Sequence, residues 1–126
     1  IIAERAMYWN GRSGGHCESG VCQPKFRSFL AEGATAGGFE SWILIQNPGP
    51  VDATVYITYL TSEGAVERAP LQVKAGKRES VNVADDVGQT YNVSAAITST
   101  AAVSVERAVY WADRSDGSCS KGYLTW

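Results

Sequence analysis

The chain of 126 residues carries eleven Lys and Arg against thirteen Asp and Glu, a net charge of -2, with 44% hydrophobic and 19% charged residues. That balance supports one core and excludes both a disordered polar chain and a protein that neutralises many phosphates, so nucleic acid is not an expected partner. A single histidine, His16, leaves no ordinary Ser/His/Asp triad and no His-rich metal centre; the chain is read as a non-enzyme with no catalytic residues, no cofactor and no metal.

No apolar run approaches the ~18 residues of a membrane span, so none is expected. The chain opens at Ile1 without a basic and apolar leader, which reads as a processed product or an excised fragment.

The opening segment already carries the main organising signal. Residues 1–20, IIAERAMYWNGRSGGHCESG, align without gaps to residues 103–122, VSVERAVYWADRSDGSCSKG, at an offset of 102, and ten of the twenty positions match. The matches include Glu4/Glu106, Arg5/Arg107, Tyr8/Tyr110, Trp9/Trp111, Arg12/Arg114 and Cys17/Cys119. A period of about 100 residues is that of a whole immunoglobulin-like domain and not of a solenoid repeat. Residues 1–28 therefore read as an N-terminal strand and Cys-containing connector, the closing part of a preceding unit, and 29–126 as one complete repeat unit. The alternative is an ordinary single domain with a duplicated hairpin strand.

From position 29 onward short runs alternate apolar and polar residues between Gly, Pro, Asn and Asp, the period of half-buried strands. Strands are expected at 42–46, ended by Asn47-Pro48-Gly49-Pro50, and at 53–60, where Val55, Ile57 and Tyr59 share a face. Short strands at 66–68 and 71–73 flank Pro70. A strand at 79–84 points Val81 and Val83 one way, and Asp85-Asp86-Val87-Gly88 reads as a polar loop. A strand at 90–98 turns Tyr91, Val93, Ala95 and Ile97 inward, and 102–111 closes the domain. About seven strands with such turn spacing predict an all-β, immunoglobulin-like antiparallel sandwich, with an N-terminal extension strand that pairs with a neighbouring unit.

The string FLAEGATAGGFESWILIQNP at 29–48, with VNVAD at 81–85 and VERAVYW at 105–111, resembles uncharacterised tandem β-sandwich repeats of secreted and surface proteins of Actinobacteria-like and related bacteria. The resemblance covers nearly all of 29–126. It implies extracellular modules strung along large proteins and no enzymatic activity. The cysteines fall outside the pattern, so no role for them comes with it.

Several polar and aromatic positions invite specific readings. Arg107 shares strand parity with Val103, Val105 and Val109 and should point inward, with Glu32 as its bidentate carboxylate partner in a structural ion pair. By symmetry Arg5 should find a glutamate in a neighbouring unit. Trp9, Trp111 and Trp126 are candidates for stacking on a glycan, against core and junction packing. Asp85, Asp86, Asp113 and Asp116 could attract calcium, but turn residues explain them better.

Cys17, Cys22 and Cys119 lie in polar Gly/Ser-rich segments, which points to an oxidising compartment and makes them disulfide candidates. A zinc site there would need His16 as a fourth donor. Three thiols cannot all pair in one chain, so either a Cys17–Cys22 bridge leaves Cys119 free, or the connectors tie successive units together.

Two functions compete. The first is an extracellular structural subunit whose assembly strand, Ile2, Ala3, Glu4, Arg5, Ala6, Met7, Tyr8 and Trp9, completes a neighbouring sheet, building a head-to-tail fibre or tandem array from copies of itself. The second is an adhesive or carbohydrate-binding module that takes surface glycans through exposed Tyr and Trp.

Overall fold

The computed structural model describes residues 1–20 and 23–122. Strands β1 (Glu4–Trp9) and β2 (Gly14–Ser19) form an antiparallel hairpin through a 3-10 turn at Asn10–Arg12. Then follow β3 (Lys25–Leu30), β4 (Glu40–Gln46), β5 (Ala53–Thr61), β6 (Gly64–Glu67), β7 (Leu71–Val73), β8 (Arg78–Asn82), a short helix α1 (Val83–Val87), β9 (Val93–Trp111) and β10 (Asp116–Lys121). Every strand pairing is antiparallel.

The chain is all-β, as expected, and its sheets curl into a half-barrel around one long strand. The first half of β9 lies between β3 and β5, with β6 and β7 beyond β5. Its second half lies between β4 and β10, with β8 beyond β4. The core fills the concave side with the period-two residues that β-branched side chains favour. Val55, Ile57 and Tyr59 of β5, Ile43 and Ile45 of β4, and Val93, Ala95, Ile97, Val103 and Val105 of β9 are all buried.

Several details differ from expectation. The described residues form ten strands where about seven and an N-terminal extension strand are expected, because the hairpin partners β2 and β10 and the connector strand β3 carry Gly, Ser and charge in place of a clean alternation. The strands expected at 90–98 and 102–111 are one strand of 19 residues. The polar stretch between them reads as a break, yet its hydroxyls serve the sheet: Thr54 N–H donates to Thr100 Oγ1 at 2.9 Å, and Ser99 Oγ donates to the Ala101 carbonyl at 2.6 Å.

Tyr91 stands ahead of that strand and is exposed, not inward. Val83 is buried as expected but opens a helix, because Asn82 accepts from Ala84 N–H and Asp85 and Asp86 sit in the first turn, where the helix dipole favours carboxylates. β3 runs across position 28/29, where the sequence divides connector from unit, and pairs with β9.

Candidate functional site

The two copies of the sequence repeat are two β-hairpins with one register. In the first, Glu4 faces Ser19, Ala6 faces Cys17 and Tyr8 faces Gly15. In the second, formed by the end of β9 and β10, Glu106 faces Lys121, Ala108 faces Cys119 and Tyr110 faces Gly117. Their loops agree residue by residue. Asn10, Gly11 and Arg12 have φ of 50°, 62° and 73°, and Ala112, Asp113 and Arg114 have 52°, 54° and 62°. Each loop is closed by the same bond, Ser13 N–H to the Asn10 carbonyl at 3.1 Å and Ser115 N–H to the Ala112 carbonyl at 3.0 Å.

Alternation along β1 gives the first hairpin two faces. Arg5, Met7 and Trp9, with Gly14 and His16 across from them, lie toward the outer face of the second hairpin. Arg5 Nη2 meets Glu106 Oε2 at 3.0 Å and Cys119 Sγ at 3.3 Å. The Trp9 ring stands edge-on to Tyr110 at 5.6 Å and to His16 at 5.5 Å, and its Nε1 donates to the Arg114 carbonyl. Lys121 Nζ donates to Ser19 Oγ at 2.7 Å. Gly14 is required here, since a Cβ would stand 2.3 Å from the Ser115 carbonyl oxygen.

This packing leaves its mark on acid–base behaviour. Burial and the Arg5 guanidinium hold His16 below its usual range, against a smaller opposing pull from Glu106. Burial and the Glu106 carboxylate push the Cys119 thiol up to about 11.

The opposite face of the first hairpin is open. Glu4, Ala6 and Cys17 are exposed, and Tyr8 is 63% exposed with the Arg12 guanidinium 5.8 Å over its ring. The second edge of β1 pairs with no strand among the described residues. Its counterpart in β9 is paired on both edges: residues 106–110 lie against Glu40–Leu44 of β4 as well as against β10.

The remaining predicted residues fall as follows. Arg107 is buried and reaches Glu32, as expected, but through the Glu32 main-chain carbonyl, which accepts from Nη1; the carboxylate is 3.6 Å from Nη2 and its side chain is 85% exposed. The expected bidentate pair is therefore a main-chain contact with one longer ionic one. Arg5 finds its glutamate, Glu106, in its own chain.

Trp9 is engaged between the hairpins, and Trp111 is half-buried against Phe39 with ring centroids 6.1 Å apart. Cys17 and Cys119 are unpaired thiols. Cys22 and Trp126 lie outside the described residues.

Sequence reasoning missed two polar centres. Asp86, read as a solvated turn residue, accepts from Tyr59 Oη at 2.7 Å and from Arg68 Nη1 at 2.5 Å. Asn47, read as a turn residue, is fully buried and donates from Nδ2 to the Val51 and Val73 carbonyls at 2.8 and 3.0 Å. Both partners of Asp86, and Val73 among those of Asn47, lie too far along the chain for local spacing to reveal them.

No protein-family model matches the chain, and no curated protein matches its sequence. Solved structures do resemble it. The crystal structure of Thermotoga maritima 1070 superposes with a TM-score of 0.70 at 17% identity, covering 81% of this chain and 96% of that one. The Anabaena sensory rhodopsin transducer superposes with a TM-score of 0.60 at 22% identity, covering 70% and 91%. At these identities the likeness is one of fold.

Proposed function

We propose that this chain is an extracellular structural unit, joined in series to others of its kind by the hairpin of β1 and β2, which completes the sheet of the neighbouring unit. The observation that carries the reading is the shared register of the two hairpins, together with the free edge of β1. A strand with the parity and residues of 106–111 is suited to the place those residues occupy beside β4. There Arg5, Met7 and Trp9 would stand for Arg107, Val109 and Trp111.

The same geometry serves two kinds of array. In one long chain, residues 1–20 close the unit before them. Between separate chains they replace the neighbour's C-terminal hairpin, and the main-chain ladder to β4 is re-formed by an equivalent strand, which is the logic of strand complementation. A head-to-tail contact of this kind propagates until rotation closes it. The hairpin lying on its own chain, as described above, is then the closed form. The immunoglobulin-like sandwich belongs to the same reading, as the finer description of the half-barrel body. The extracellular setting rests on the repeat resemblance and on the cysteines in polar segments.

Sedimentation and negative-stain microscopy of the full chain and of a chain lacking residues 1–20 test the proposal. Series of particles from the full chain and folded single particles from the shortened one are the expected pair of results. Single particles from both, at every concentration, would remove the basis for it.

A further inference from the structure

A second feature stands apart from the joining hairpin. Between the loop at 31–39, the end of β5 at 60–61 and the end of β9 lies an open cleft of about 430 Å³, within the size range of small-ligand sites. Its walls carry three aromatic rings from different parts of the chain: Phe39, Tyr91 and Trp111. Arg107, largely buried, and Glu32, with its side chain exposed, also line it.

The loops behind the cleft are held by bonds of two buried hydroxyls. Thr35, 2% exposed, donates from Oγ1 to the Gly88 carbonyl at 2.6 Å and accepts from Thr90 N–H at 3.0 Å. Ser41 Oγ donates to the Ala34 carbonyl at 2.8 Å and accepts from Ala34 N–H at 3.1 Å. Tyr91 lies directly on Gly37, where φ is +64° and a Cβ would stand 2.6 Å from the phenol oxygen. A glycine there gives the loop its left-handed turn and leaves room for the ring against the backbone. Tyr91 is nonetheless 65% exposed, an aromatic ring fixed in place with most of its surface left to solvent.

The polar groups are of one chemical kind. Among the described residues no side chain or N–H group engages the exposed Glu32 carboxylate at hydrogen-bond distance, and Arg107 Nη2 stands 3.6 Å from it, so neither group uses up the other. An acceptor and a donor side by side match the vicinal hydroxyls of a sugar, each of which both donates and accepts. Flat rings match the C–H face of a pyranose. The pair is neutral overall, so an anionic ligand would face Glu32 and a cationic one Arg107. We propose that the cleft binds a neutral hexopyranose, free or at the end of a glycan chain, with Tyr91 and Trp111 stacking on the ring and Glu32 and Arg107 holding its hydroxyls.

The joining hairpin preserves such a site. Where residues 1–20 complete a unit, Arg5, Trp9 and His16 take the places of Arg107, Trp111 and Ser118. The proposal nevertheless stands on the cleft alone and survives if the chain never assembles.

The test is a titration of the full-length chain, followed by amide chemical shifts, with glucose, galactose, mannose, N-acetylglucosamine and their β-1,4 and α-linked disaccharides; glucuronate and glucosamine are the charged controls. Saturable shifts centred on Glu32, Phe39, Tyr91 and Trp111 with at least one neutral sugar are expected, with weaker binding of the charged controls. Tyr91→Ala, an exposed change that leaves the core intact, should weaken binding about tenfold or more. Binding that tightens from mono- to disaccharide points to a glycan chain, and equal binding to a free sugar. Absence of saturable shifts at the cleft with every neutral sugar would overturn the proposal. So would binding unchanged in Tyr91→Ala, or a charged control that binds as tightly as its neutral parent.

Discussion

Trp9 and Trp111 hold the same position in two hairpins of the same register, yet Trp9 stands edge-on against Tyr110 while Trp111 tilts against Phe39 inside the cleft. The difference follows from what lies beside each strand. Residues 106–110 are flanked by β4, which turns Arg107, Val109 and Trp111 toward the body. β1 has no such neighbour among the described residues, so its equivalent face lies on the nearest surface that covers an indole and pairs a guanidinium. That surface is the outer face of its own duplicate, where the attraction combines aromatic edge contact with a half-exposed ion pair worth about 1 kcal/mol or less. A contact of that strength can open.

The loops record the duplication and predict a stability difference. Asp113 holds φ of 54° where the other copy has Gly11 at 62°, and a Cβ at Gly11 meets nothing within 4 Å, so the cost of a side chain there is conformational and not steric. Asp113→Gly should stabilise the chain by roughly 0.5–1 kcal/mol, the left-handed penalty less the entropy of glycine. Gly11→Ala should cost about 1 kcal/mol. Denaturant midpoints decide it, and a lower midpoint for Asp113→Gly would contradict the argument.

The closed hairpin should be sensitive to acid. Neither ring nitrogen of His16 has a hydrogen-bond partner among the described residues, and burial and Arg5 both disfavour the charged ring. A folded value below the free value of 6.5 means that the unfolded or opened hairpin binds the proton more tightly. The stabilisation is therefore complete above the free value and is lost as pH falls from there through the lowered folded value. Hydrogen exchange at β1 and β2 amides should quicken over that interval, and His16→Phe should abolish the change. Exchange rates that follow only the intrinsic pH dependence in both proteins would refute it.

How much of this was legible in the sequence depends on the range of the interaction. Val55, Ile57 and Tyr59 announce their buried face by alternation, and the Glu-Arg and Tyr-Trp pairs announce the repeat, because both signals are local. Arg107 could be placed inward by parity alone. Its partner atom could not, since the choice between the Glu32 carboxylate and its main-chain carbonyl depends on how the loop at 31–39 is folded over it. The fusion of two expected strands into β9 was hidden because Ser99, Thr100 and Ala101 break the apolar alternation, and only the bond from Thr54 shows that the sheet continues through them. The cleft joins Glu32, Tyr91 and Trp111 across most of the chain and has no sequence period at all.

The Tyr59, Asp86 and Arg68 cluster should behave as one buried unit. Tyr59 is fully buried, its phenol is pushed up by burial and by the Asp86 carboxylate, and Arg68 completes the carboxylate's partners. Tyr59→Phe removes one hydrogen bond and should cost roughly 1–2 kcal/mol. Asp86→Ala leaves both a phenol and a half-buried guanidinium unsatisfied and should cost more, about 3 kcal/mol. Measured unfolding energies in the reverse order would show that the cluster is not organised around Asp86.

Asn47 makes a sharper case, because its amide ties its own turn, through Gly49 and Val51, to the end of β7. Besides its two donated bonds, Oδ1 accepts from Gly49 N–H at 3.0 Å, and no part of the residue is exposed. Asn47→Leu is close in size and strands two carbonyls and one N–H, so it should cost about 2–4 kcal/mol. Asn47→Asp keeps the acceptor but loses the donor, and should cost nearly as much. A thermal midpoint unchanged in either variant would remove the residue from the fold's supports.

Thiol chemistry gives a direct reading of whether the hairpin is open or closed. Cys17 is exposed on the free face, whereas Cys119 lies beneath Arg5 with its thiol pushed up to about 11 by burial and Glu106. Since the thiolate is the reactive form, Cys119 should resist alkylation at neutral pH while Cys17 reacts readily. A Cys22→Ser background isolates the two. One fast and one slow label per chain, assigned by peptide mapping, is the expected pattern in the closed form. Trp9→Ala loosens the hairpin without touching either thiol and should speed labelling of Cys119 about tenfold or more, with Cys17 unaffected. If Cys119 labels as fast as Cys17 in the unaltered hairpin, the closed form is not the resting state. If it stays slow after Trp9→Ala, its protection comes from Glu106 and the sheet and not from the hairpin above it.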